Sequence, residues 1–473
     1  MHHQDTHEPE ADRRNGDQPR SRRRWWAAGL AGVTGLALTT VGVVGVVAAT
    51  PAADAAGRTR NTADDHSKRG SGKTDARRDH GKTDDRRDRA GKGKPGGGTP
   101  VPCDADALIA AITLANARGG ATLDLAKDCT YLLTADLDGA GLPAITTPIT
   151  LNGGKHTIIE RAAAADPFRI LTVEAGGDLT LNHVTIAGGQ TEMFDDGGGI
   201  LTSSGSTLAI NHSVIKRNIG HNGGGVANRG TTTVKHSTVS GNTARASAGG
   251  LQNMAGLLTV GHSTITDNTA TGLAIGGGIG SINGATTRIS QSDITHNYSA
   301  LAGGGIGDFD ATSVVADSTI SHNTAANTGG GIFEEGQLTL RRVTLTGNSA
   351  PGDGGGGLEI QNVLGGNTAT IEDSEITNNS TGRGGGIRNL AATVVLRNTR
   401  VAGNQADTGA GVFNNDNSTL TLFSTKIVKN TAVTDGGGIL NIAGGTVNLN
   451  TATGTIVIKN RPNNCVNVPG CSG

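Results

Sequence analysis

The sequence predicts an all-β fold, a right-handed three-sheet parallel β-helix (solenoid), on three observations. Glycine supplies 76 of 473 residues, well above the ordinary share, and it clusters in triplets. A glycine-rich triplet followed by an aliphatic residue recurs at Ile200, Val226, Leu251, Ile279, Ile306, Ile332, Leu358, Ile387, Val412 and Ile439, 25 to 29 residues apart. Between these marks an aliphatic-x-x-Asn signature keeps step, ending at Asn218, Asn242, Asn268, Asn297, Asn323, Asn348, Asn379, Asn404, Asn430 and Asn460. Two marks in phase over so many units define a repeat in which each unit is one coil.

Within a unit the pattern is extended. Gly225-Val226-Ala227-Asn228 leads to Thr233-Val234-Lys235 and then to Ser237-Thr238-Val239-Ser240-Gly241-Asn242. Apolar and polar residues alternate with period two, and Thr, Val and Ile are enriched. Three extended pieces carrying the same marks each time stack as parallel strands, not as hairpins. The unit count gives about 11–12 coils, with right-handed crossovers. Glycine serves the corners, and asparagine serves a coil-to-coil ladder. Collagen is excluded because glycine does not recur every third residue. The ten aromatic residues exclude a large aromatic-rich core.

The chain divides into four parts. Residues 1–24 form a basic and polar tail. Residues 25–56 include the uncharged run 27–50, long enough to cross a bilayer, where about 20 residues suffice. It follows Arg20–Arg24 and ends at Ala53-Asp54-Ala55, so it is either a cleaved signal peptide or a signal-anchor. Ser21-Arg22-Arg23-Arg24-Trp25-Trp26 also has the form of a twin-arginine export signal. Either reading exports the protein, secreted or held at the cell surface or wall, and membrane contact is through this segment if it stays uncleaved. Residues 57–100, rich in Lys, Arg, Asp and Gly, lack apolar side chains and are expected to be a disordered tether. Residues 101–473 form the β-helix domain.

That domain opens with the only convincing helix pattern, Asp104–Asn116, expected as a cap over the first coil. Four cysteines permit three pairings. Cys103–Cys129 with Cys465–Cys471 is the one a rod allows, because the others join opposite ends; export favours disulfides. The formal net charge is −1, and from residue 95 onward 21 basic residues face 28 acidic ones. No basic stripe is present, which excludes nucleic acid as a partner.

With GGG(I/V/L) and (I/V/L)-x-x-N laid out, the domain resembles the right-handed parallel β-helix proteins of the polymorphic outer membrane protein repeat family, with the pectate-lyase-like fold. The family's F-x-x-N carries Ile, Val or Leu here in place of Phe. The leader Cys103, Leu108, Ala111-Ile112, Ala115-Asn116 is similar to that of such exported proteins. The resemblance implies a surface-exposed adhesion module, and the same coil also hosts polysaccharide-cleaving enzymes.

Equivalent positions in successive coils are neighbours, so the repeats form columns of side chains. The position two after each marked aliphatic is an asparagine column interrupted by Asp308 and Glu334. With Asp310, Glu335 and Glu359 these make the densest acidic group. Asp308 and Glu334 are the candidate catalytic pair, since neighbouring carboxylates can share a proton or cleave a glycosidic bond. Asp308, Asp310, Glu334, Glu335 and Glu359 are candidate ligands for Ca²⁺, the one cofactor considered. The competing reading is a solvated acidic stripe. A second column holds His183, His212, His236 and His262, but one ligand per coil makes a line and no enclosed tetrahedron, so no transition-metal site is expected. The expected function is therefore adhesion, contact with polysaccharide or a cell-surface or matrix component, or a structural role, without catalysis. The alternative is a polysaccharide lyase or glycoside hydrolase acting on an acidic polysaccharide.

Overall fold

The computed structural model describes residues 97–272, 275–362, 365–415 and 417–472. The tail, the export segment and all but the last residues of the expected tether lie outside the described residues. The rest is a parallel β-solenoid of about 14 turns in three sheets. The count exceeds the expected 11–12 because the first turns carry no glycine triplet. Thr130–Leu133 pairs with Ile158–Arg161, and Ala121–Leu125 with Pro148–Asn152, through aliphatic alternation alone. The fold also begins earlier than residue 101: Thr99–Val101 is a strand paired with Leu123–Leu125.

Every turn repeats a short course of strands. In one turn Val226–Asn228 follows the glycines, then come Thr231–Lys235, Thr238–Ser240 and Thr243–Ala244. The first two rows belong to a 24-stranded sheet folded over a corner, the third is a 13-stranded sheet and the fourth a 9-stranded one. The sequence pattern anticipates three extended pieces. The fourth, two residues long in most turns, arises because the chain stays extended just after the ladder asparagine.

Ile and Val from each row fill the interior: Ile215, Val239, Ile265, Ile294 and Ile320 stack in register, each fully buried. Glycine is required where the chain enters the first row. A Cβ at Gly304 would lie 2.3 Å from the Gly330 carbonyl of the next turn, and no side chain can yield there.

The expected cap is an α-helix over Ala105–Ala117, with the Asp104 carboxylate accepting from the Ala107 N–H at 2.8 Å. Leu108, Ile112 and Ala115 close the first turn. Both disulfides form as expected, Cys103–Cys129 and Cys465–Cys471. Among the described residues no helix is long and apolar enough to cross a membrane.

Candidate functional site

Three side-chain ladders run along the solenoid. The first is the asparagine of the aliphatic-x-x-Asn signature. Asn323 donates through Nδ2 to Asn348 Oδ1 at 3.1 Å and to the Ile294 carbonyl at 2.9 Å, and its own Oδ1 accepts the Asn297 backbone N–H at 2.9 Å. The same triad repeats from Asn242 to Asn430. The second ladder is a row of hydroxyls. The oxygens of Ser237, Ser263, Ser292 and Ser318 each accept the backbone N–H of the equivalent residue one turn before, at 3.0 to 3.2 Å. Sequence reasoning missed this row, although a serine or threonine following the histidine column is its visible signal.

The third ladder holds the candidate acids. Thr202, Asn228, Asn253, Ser281, Asp308, Glu334, Ile360, Asn389, Asn414 and Asn441 are register partners in successive turns. They point inward. Asn228 Nδ2 donates to Asn253 Oδ1 at 2.8 Å, and Asn389 to Asn414 at 2.9 Å. The same amides also donate across the corner to backbone carbonyls, as Asn253 does to Thr286 at 3.0 Å.

Asp308 and Glu334 thus lie side by side within the solenoid, each 0% exposed. None of their four carboxyl oxygens completes a hydrogen bond of good geometry, although the two carboxyls lie against each other and Ser281 and Ser313 lie against Asp308. Burial pushes the Asp308 carboxyl above its ordinary value. Burial, followed by the charge of Asp308, pushes Glu334 well above its own. The turn is irregular here. Ile306–Ala316 and Ile332–Arg341 run unbroken across the corner, with a bulge between Phe309 and Thr312. At the bulge Asp310 adopts φ 51°, and Gly336 opposite has no room for a Cβ, which would meet the Ala311 carbonyl at 2.2 Å.

The five carboxylates are not one group. Asp310 is exposed. Glu335 accepts from Gln361 Nε2 at 3.2 Å. Glu359 lies one position over, in register with Phe333 and Arg388 and 2% exposed, where it accepts from Thr328 Oγ1, from the Gly355 N–H at 2.8 Å and from Arg388 Nη1 at 3.1 Å. A solvated acidic stripe is therefore corrected to one enclosed pair, one buried ion pair and separate groups. Period-two alternation explains the pair: a residue two after a buried aliphatic shares its inward face. Of the neighbouring arginines, Arg388 serves Glu359, whereas Arg342 pairs with Asp317, its Nη2 lying 2.8 Å from Oδ2.

The histidine column is a stack. Ring centroids of His183, His212, His236 and His262 are 5.0, 4.8 and 4.7 Å apart in succession. All four residues are left-handed, with φ of 49° to 55°, and so are Gln291, Asp317, Arg342, Asp373 and Asn398 further along. Backbone geometry at this turn, shared by the whole column, accounts for its polar residues.

No family model matches the chain. Over 136 residues it is 27% identical to UDP-N-acetylglucosamine 1-carboxyvinyltransferase of Rhodopseudomonas palustris strain TIE-1, covering 26% of this chain and 30% of the relative. The same enzyme of strain BisB5 is 28% identical over 139 residues, covering 29% of this chain and 31% of the relative. The chain thus spans about 30% of the length of the curated relatives it matches. Among solved structures, the Dettilon tailspike protein aligns over 72% of this chain and 64% of its own, at 12% identity and a TM-score of 0.33.

Proposed function

We propose that this chain is an exported surface or secreted module that contacts glycan or matrix components through the outer faces of its solenoid, without catalysis. The observation that carries this reading is a registered array of hydroxyls on the 24-stranded sheet. Outward Thr207 and Thr231 are partners, as are Thr286 and Thr312, and Thr368, Thr393 and Thr419 further along. Two residues on, Thr233 pairs with Thr259, and Thr339 with Thr370. Hydroxyls about 4.8 Å apart between turns present a periodic polar surface to a periodic polymer. Burial of Asp308 and Glu334 supports the non-catalytic part, because a general acid must come within hydrogen-bond reach of its substrate.

The test is a glycan and matrix-protein binding screen on the full chain and on a Thr339→Ala, Thr368→Ala, Thr370→Ala variant. Binding by the wild type, and its loss in a variant of unchanged melting temperature, is the expected result. Incubation with acidic polysaccharides and Ca²⁺ tests the opposite reading: steady appearance of unsaturated or reducing ends would establish a lyase or hydrolase and overturn this one.

A further inference from the structure

We infer that Asp308 and Glu334 hold a divalent cation of the Ca²⁺ class inside the solenoid, with Ser281 and Ser313 completing an all-oxygen site. The inference is independent of the proposed function. Two turns away on either side, Asn253 and Asn389 each give Nδ2 to a backbone carbonyl and to a side-chain oxygen of a neighbouring turn; in the turns between, Ser281 Oγ pairs with Thr287 Oγ1 at 2.9 Å and Ile360 is apolar. Asp308 and Glu334 occupy the same row with no N–H to give, so carboxyl faces carboxyl across the two turns.

A second, independent feature points the same way. Ser313 Oγ is fully buried, lies against Asp308 and has no hydrogen-bond partner. The bulge at Asp310 sets Ser313 opposite Leu338 and places it on the inward face. Among the described residues no three His, Cys, Asp or Glu side chains group to hold a metal; the donors here are two carboxylates and two hydroxyls. Those supply up to six hard oxygen atoms, the lower end of what Ca²⁺ takes. Mg²⁺, which keeps several waters, suits an enclosed interior poorly. Two positive charges neutralise both carboxylates, which a dry interior does not tolerate as an unpaired pair.

The full chain is purified from Ca²⁺-containing medium, dialysed against EDTA and analysed for metals before and after unfolding. The expected result is about one equivalent of calcium, retained in the folded chain and released on unfolding. Refolding in EDTA is expected to lower the melting temperature by several degrees, with recovery on adding Ca²⁺ and little on adding Mg²⁺. The Asp308→Asn, Glu334→Gln variant returns amides to the row; it is expected to carry no calcium and to melt alike with and without EDTA. Ser313→Ala, which keeps both carboxylates, is expected to require more Ca²⁺ for the same recovery. A wild-type chain without stoichiometric metal and indifferent to EDTA would overturn the inference and leave the carboxyls holding protons. Calcium retained by the double variant would overturn it too, by placing the ion elsewhere.

Discussion

Asn323 shows how much one side chain carries in this architecture. It satisfies its own amide, the backbone N–H of Asn297 and the carbonyl of Ile294, all fully buried in an apolar stack. Asn323→Ala leaves those backbone groups without partners and is expected to cost about 3 kcal/mol, measured by urea unfolding. The ladder itself is legible in the sequence, because asparagine recurs in phase with a residue that must be buried. The direction of Asp308 and Glu334 is equally legible, since Ile306 and Ile332 two positions earlier are interior and strand side chains alternate. Other contacts were not. Pairing of Glu359 with Thr328 depends on how the loop before the glycine triplet folds back, and no periodicity reports that, whereas Arg388 is its register partner one turn on.

At the scale of the element, the stacked histidines make a prediction of pH dependence. Partial loss of water contact within the stack, then the neighbouring His262, His212 and Lys235, holds the exposed His236 imidazole below its ordinary value. A lowered folded-state value means the unfolded chain binds the proton more readily. The associated stability is therefore present above the unfolded value, about pH 6.5, and is lost as pH falls through the folded one. The melting temperature of the wild type is expected to fall more steeply between about pH 7 and pH 5 than that of a His212→Asn, His236→Asn, His262→Asn variant. Asparagine tolerates the left-handed backbone of this turn, so the substitution removes charge without removing the geometry. A parallel fall in both chains would count against the stack. The cap helix was legible from its apolar spacing and Asp104, because local propensity and tertiary role agree there.

For the whole molecule, strands pair only with those of adjacent turns, so stability is close to a sum of turns and junctions. The extra turns before Ile200 carry no glycine mark in the sequence, because a coil needs aliphatic alternation but not the glycine corner. Ile320 lies in the middle of the 13-stranded sheet, fully buried between Ile294 and Leu345. Ile320→Asp places an unpaired charge there and is expected to split the single denaturant transition into two, one for each side of the break. The measurement is urea unfolding followed by far-UV circular dichroism; a single shifted transition would mean the turns are coupled over longer range.

The turn-to-turn hydrogen bonds of strands and ladders alike lie along the direction in which turns are added. A pull between the first and last turns therefore loads these junctions in series, like links of a chain, and the strength of the whole is that of its weakest link. At the level of Asp308 and Glu334 the strands pair on both sides of the bulge but the facing carboxyls add no amide bond of their own, so whatever occupies that pair decides whether the side chains strengthen or weaken this link.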